Sequence, residues 1–325
     1  MKKERTKGKV MWGFLYAAAF IAAFAASAIF KMTYHPLAEE TRVDWSDAVG
    51  RIYTDLPYGE GPANRFDLYV PADNTREAYG LVVYLHAGGF TSGAEADDAG
   101  MLKWLCSKGY VAAGVNYTLF REDHLEASVY SQSQEIKSSI PAIQAAAAEL
   151  GYNLDRMAVS GGSAGGCLAL LFAYRDAADS PIPVKMVFEA VGPASFHHED
   201  WTPYGLDRGT AESDAAAAGL FSTMAGTVIT PEMVAANDYQ DAVRGISAYQ
   251  WVTADSVPTL CAYGAYDRIC PFRSVRHLIA ALEENGVPFD YIEFPHSGHG
   301  LQNDDRQARL YQEKIIEYLE TYLPV

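Results

Sequence analysis

Cysteine is scarce in this chain. The four present among 325 residues, Cys106, Cys167, Cys261 and Cys270, have neither CxxC spacing nor the density of a crosslinked scaffold. That argues against a zinc ribbon and against a small disulfide-stapled domain. Cys106 and Cys167 fall in apolar, helix-like stretches and read as buried free thiols, not nucleophiles. Positive charge is short as well: 25 Lys and Arg stand against 41 Asp and Glu, a formal net charge of −16. A phosphate-binding surface needs clustered cations, so nucleic acid is excluded as a partner. Internal repeats, low-complexity tracts, long charge runs and proline-rich linkers are missing too, which removes solenoids, disordered tails and a linker between two domains. What remains is a chain with 49% hydrophobic residues, enough for one large α/β domain or two small ones, and the missing linker favours one.

Charge is absent altogether from "VMWGFLYAAAFIAAFAASAIF", residues 10–30. A helix of that length spans a hydrocarbon core of about 30 Å at about 1.5 Å per residue. Lys2, Lys3, Arg5, Lys7 and Lys9 precede it and Lys31 alone follows directly, a bias that puts the amino end inside. The expectation is an N-terminal transmembrane anchor over residues 1–31, with the catalytic part, residues 32–325, outside the cytoplasm. A cleaved signal peptide is the competing reading, because Ala26-Ser27-Ala28 fits an A-x-A cleavage site and would release a secreted protein. The apolar stretch is long for a signal peptide, which favours the anchor.

Beyond a tether over residues 31–60, strand and helix patterns alternate. Strands are expected at 65–70, 80–87, 110–117, 157–161, 184–192, 258–265 and 289–295. Helices are expected at 98–108, 128–151, 165–178, 271–286 and 303–322, with Pro141 kinking or breaking the second. Such alternation means a mostly parallel sheet covered by helices on both faces. The rhythm lapses from about 195 to 250, which reads as a small cap insertion over one end of the sheet.

Within this pattern "MAVSGGSAGGCLALLFAY" (157–174) runs from a strand through glycines into a helix, with Ser163 at its centre. Gly161-Gly162-Ser163-Ala164-Gly165 is a G-x-S-x-G nucleophile elbow in the context it requires. A phosphate loop is the alternative, but the P-loop lysine and the G-x-G-x-x-G spacing are both lacking. A serine hydroxyl needs a base, and the base an orienting acid, in the chain order Ser, Asp or Glu, His. "YGAYDRICP" puts Asp267 just past a strand, and "PHSGHGL" puts His299 past the last strand. Asp255, Glu189 and His296 are the competing choices. His299 is favoured because it lies nearer the following helix, with room left by Gly298 and Gly300. "LHAGGF" (85–90) follows a buried strand, so Gly88 and Gly89 can offer backbone N–H groups to an oxyanion, with Ala164 N–H from the elbow. His86 reads as an orderer of that loop. Phe90, Tyr117, Phe196, Trp201 and Tyr204 are pocket candidates, although single aromatics more often belong to the core. "HHED" (197–200) reads as a polar cap loop, since adjacent histidines do not point one way along a strand, and no metal or other cofactor is expected.

The motifs "HAGGF", "GGSAGG", "YGAYDRICP" and "HSGHGL", from about residue 64 to the end, resemble the α/β-hydrolase superfamily, in particular its hormone-sensitive-lipase-like or carboxylesterase group. The resemblance implies the α/β-hydrolase fold and a serine esterase with Ser163, Asp267 and His299 as triad. It also implies Gly88, Gly89 and Ala164 as oxyanion hole and a small-molecule ester as substrate. Ala87 departs from the group's usual glycine, and the anchor is not typical of it. A serine peptidase of the prolyl-oligopeptidase type shares fold and triad, but its large amino-terminal domain has no counterpart here. A silent hydrolase fold serving as an anchored binding module would have lost a triad member. The acidic residues at the start of the cap argue against a broad apolar lid, and "AAAAGLFSTM" (215–224) offers at most a small apolar wall. Short-chain acyl esters are therefore the expected substrates.

Overall fold

The computed structural model describes residues 41–325. The expected anchor lies outside the described residues, and among them no helix is long and apolar enough to cross a membrane. Eight strands form one sheet: β1 (Gly50–Pro57), β2 (Arg65–Pro71), β3 (Tyr79–Leu85), β4 (Val111–Val115), β5 (Leu154–Gly162), β6 (Val184–Ala190), β7 (Thr259–Gly264) and β8 (Phe289–Phe294). Their order is β1-β2-β4-β3-β5-β6-β7-β8. β2 pairs antiparallel with both β1 and β4, and the remaining pairs are parallel. This is the arrangement expected of an α/β hydrolase.

The central strands read as unbroken apolar runs because both of their faces are covered. Side chains alternate across a strand, so Leu81, Val83 and Leu85 join one core and Val82 the other. The first core packs against α2 (Val129–Glu149), α3 (Ala164–Leu171) and α7 (Val275–Glu284), through residues such as Ile136, Leu168 and Leu278. The second packs against α1 (Ala99–Ser107) and α8 (Asp305–Tyr322), through Leu102, Leu105 and Ile315.

Three local features depart from expectation. The stretch expected to be a tether contains β1, an edge strand whose residues are exposed or half-buried apart from Gly50 and whose register slips between Tyr53 and Leu56. No buried apolar run announces it. Pro141 does not break α2, which continues through it with the proline exposed and Ser128 and Ser131 forming a capping box at the start. The helix after the elbow is shorter than expected: beyond Leu171 the chain widens into π-type turns over Phe172–Asp176, where Arg175 pairs with Asp176.

The segment between β6 and β7 carries α4 (Ala211–Ala225), α5 (Pro231–Ala235) and α6 (Gln240–Val243). Its interior is aromatic: Phe196 stacks on Trp201 with ring centroids 5.6 Å apart, and Phe221 stacks on Tyr239 at 5.7 Å. The "HHED" stretch anchors it. Asp200 is buried and receives Arg276 Nη2 and His277 Nε2, each at 2.8 Å. His197 stacks on His277 at 4.1 Å and meets the Tyr249 hydroxyl at 2.7 Å.

Candidate active site

Ser163 stands between β5 and α3 with φ 54° and ψ −118°, a backbone conformation that non-glycine residues rarely adopt. The strand must reverse into the helix within one residue, and that brings backbones together. A Cβ on Gly165 would lie 1.9 Å from Leu85 O, and one on Gly161 would lie 2.5 Å from Gly165 C. Glycine at these two positions is a steric requirement. Ser163 N donates to Ala190 O at 2.8 Å, which ties the turn to the end of β6.

The loops after β7 and β8 bring two more side chains to this point. His299 Nε2 lies 2.8 Å from Ser163 Oγ, and His299 Nδ1 lies 2.7 Å from Asp267 Oδ2. A carboxylate only accepts, so Nδ1 carries the proton there and Nε2 accepts from the serine. Asp267 is buried, and its other oxygen accepts from Ile269 N at 2.8 Å and Cys270 N at 3.0 Å. The competing residues lie elsewhere. His296 bonds Asp304 at 2.8 Å with a side chain 77% exposed, and Asp255 sits in an exposed turn. Glu189 is buried behind the elbow, where its Oε2 accepts from Gly192 N at 2.8 Å, and burial pushes its carboxyl up to about 8.

The loop after β3 turns at Gly88 (φ 125°) and Gly89 (φ 61°). Gly88 O accepts from Thr91 N and Ser92 N, while no hydrogen bond among the described residues takes up the N–H of Gly88 or Gly89. Ala164 is the first residue of α3, where helix N–H groups have no intrahelical partner. His86 orders this loop from beneath. Its Nδ1 donates to Ala87 O at 2.7 Å, its ring stacks on Tyr117 at 4.2 Å, and burial holds its pKa below the ordinary histidine range.

A cavity of about 300 Å³ opens beside Ser163 and His299, with Gly89 and Ala164 also at its edge. Of the five aromatic candidates, Phe90, Trp201 and Tyr204 line it, whereas Tyr117 and Phe196 are core. Val129, Leu220, Met224 and Ile269 complete its apolar wall. Leu220 and Met224 fall within the apolar run of the cap, but Val129 and Ile269 carry no sequence signal of their own. Gln132 has no sequence signal either: its Nε2 donates to Phe90 O at 3.0 Å and Thr118 O at 2.8 Å, pinning the glycine loop to the loop after β4. The four cysteines are buried and unpaired, and burial pushes the Cys106 thiol up to about 12.

The model of the BD-FAE family matches residues 66–282. Esterase LipC of Mycobacterium tuberculosis is 23% identical over 253 residues, which cover 75% of this chain and 58% of LipC. The probable carboxylic ester hydrolase LipM of the same organism is 24% identical over 263 residues, covering 76% of this chain and 56% of LipM. The chain thus spans little more than half the length of these relatives. Among solved structures, an inhibited esterase B from Lactobacillus rhamnosis superposes with a TM-score of 0.65 at 19% identity, covering 94% of this chain and 96% of that one. At that identity the likeness establishes the α/β-hydrolase fold alone.

Proposed function

The chain belongs to the BD-FAE family, and from that premise we propose that it is a serine carboxyl-ester hydrolase acting on short-chain acyl esters through an acyl-enzyme. The observation that carries the reading is the hydrogen-bonded line from Ser163 Oγ through His299 to Asp267. In this mechanism His299 Nε2 takes the Ser163 proton as Oγ bonds to the ester carbonyl carbon. The carbonyl oxygen becomes an oxyanion held by the N–H groups of Gly88, Gly89 and Ala164; one such donor is worth about 10²–10³ in rate. His299 then passes its proton to the departing alcohol oxygen as the ester C–O bond breaks. Water completes the cycle: His299 takes one of its protons, the hydroxide oxygen bonds to the acyl carbon, and Ser163 leaves with the proton returned.

Short acyl groups are favoured by the size of the apolar cavity, about 300 Å³, at the lower limit of ordinary ligand pockets. Trp201, Leu220 and Met224 close around it from the cap. Residues 10–30 support export, with the catalytic part held at a membrane outside the cytoplasm or secreted after cleavage. The deciding experiment is labelling with a fluorophosphonate alongside a panel of esters and peptides. Labelling of the wild type but not Ser163→Ala, with turnover of esters and not peptides, is the expected result. Turnover of peptides alone would make it a peptidase, and no labelling a binding module.

A further inference from the structure

The loop that carries Asp267 is tied to the cap by a side chain with no part in the mechanism above. Tyr204 ends a single helical turn, Thr202–Tyr204, in the segment between β6 and β7, and its ring meets Trp201 at 5.4 Å. Its hydroxyl donates to Ile269 O at 2.8 Å, across 65 positions of sequence. Ile269 O and Cys270 N belong to one peptide unit, and a trans peptide points its carbonyl and its N–H in opposite directions. On the far side of that unit Cys270 N donates to Asp267 Oδ1 at 3.0 Å. Asp267 Oδ2 accepts from His299 Nδ1 at 2.7 Å, and His299 Nε2 accepts from Ser163 Oγ at 2.8 Å. A hydrogen-bonded line therefore runs from the cap to the nucleophile, and bonds in such a line polarise one another. Cys270 is buried but Ile269 is 56% exposed, so packing holds the shared peptide from one side only.

Resting on the serine-esterase reading, we infer that Tyr204 is a positioning residue, whose hydroxyl fixes the Ile269–Cys270 peptide and through it aims the Asp267 carboxylate at His299. Burial, with Cys270 and Asp267 nearby, pushes the Tyr204 hydroxyl above the ordinary tyrosine range, so it stays a donor. Asp267 Oδ1 also accepts from Ile269 N at 2.8 Å, so loss of the hydroxyl leaves the acid in place with its aim loosened. That cost falls on the transition state, where His299 carries the proton and depends most on the carboxylate. Both halves of the reaction use His299, so the effect belongs to kcat whichever half is slower.

The test is a double-mutant cycle on n-propyl acetate. Tyr204→Phe keeps the ring that lines the acyl cavity and removes only the donor. Its kcat should fall about fivefold with KM and melting temperature unchanged, the scale of one neutral hydrogen bond. The decisive reading is the same substitution in an Asp267→Asn chain, where the aim of the acid is already lost. There kcat should fall by less than about 1.5-fold, because residues in one hydrogen-bonded network are not additive. An equal fivefold loss in both backgrounds would make Tyr204 act independently of the acid and overturn the inference. A rise in KM at constant kcat, the mark of a substrate contact, would overturn it too, as would an unchanged kcat in Tyr204→Phe. Absence of turnover of every ester by the wild type would instead overturn the esterase reading itself.

Discussion

Ser163, His299 and Asp267 act as a unit in this account, and that has a quantitative consequence. Loss of any one removes most of the benefit of the other two, so combined losses should be far from additive. Asp267→Asn and His299→Ala are each expected to lower kcat by about 10³ or more, with the double variant little worse than the singles. His296→Ala should stay near wild type, because His296 bonds Asp304 in an exposed position. Steady-state kinetics on one ester check all four; a lethal His296→Ala with a mild His299→Ala would reassign the base. Gly165→Ala tests the elbow itself. With Leu85 O only 1.9 Å from the added carbon, strand and helix must separate, and we expect a loss of stability of about 3 kcal/mol or more by urea unfolding.

The elements decide what surrounds that unit. Ala190, which accepts from Ser163 N, ends β6, and Gly192, held by Glu189, lies just past it, so this strand end supports the elbow. The Glu189 carboxyl, lifted by burial to about 8, keeps its proton in the folded chain at pH values where the unfolded chain has lost it. Stability from this group is therefore complete below its ordinary value near 4.5 and drains away as pH rises toward 8. The melting temperature of the wild type should fall relative to Glu189→Gln between pH 5 and 9; a pH-independent difference would mean the acid is ionised in the fold. At the cap, Met224→Ala should enlarge the acyl cavity and move the preferred nitrophenyl ester toward longer chains. In the wild type, acetyl to butyryl esters should turn over fastest in a series from two to sixteen carbons, and a maximum at ten or beyond would defeat the short-chain reading.

Legibility also divides by element. The residues at Ser163, Asp267, His299, Gly88 and Gly89 sit in strand-end loops whose glycines and order are local features, and the structure brings them to one point. β1 was not legible, because an edge strand with exposed side chains and a bulge at Asp55 has no apolar period to read. The helices of the cap and the pocket wall were illegible for a different reason. Val129 and Met224 line one cavity only because α2 and α4 pack against each other.

For the molecule as a whole, the sheet brings its strand-end loops to one edge and the segment after β6 covers them, so chemistry and selectivity are carried by separate parts of the chain. The triad residues all lie beyond residue 160, so if residues 1–31 anchor the chain, their deletion should give an active hydrolase that no longer fractionates with membranes. Mature protein beginning at Ile29 would instead establish cleavage after Ala28. The measurement closest to the central claim is intact-protein and peptide mass spectrometry after brief exposure to a fluorophosphonate. The account predicts one adduct, on Ser163, with no adduct and no ester turnover in Ser163→Ala. An adduct on any other residue, or ester turnover surviving in Ser163→Ala, would contradict it.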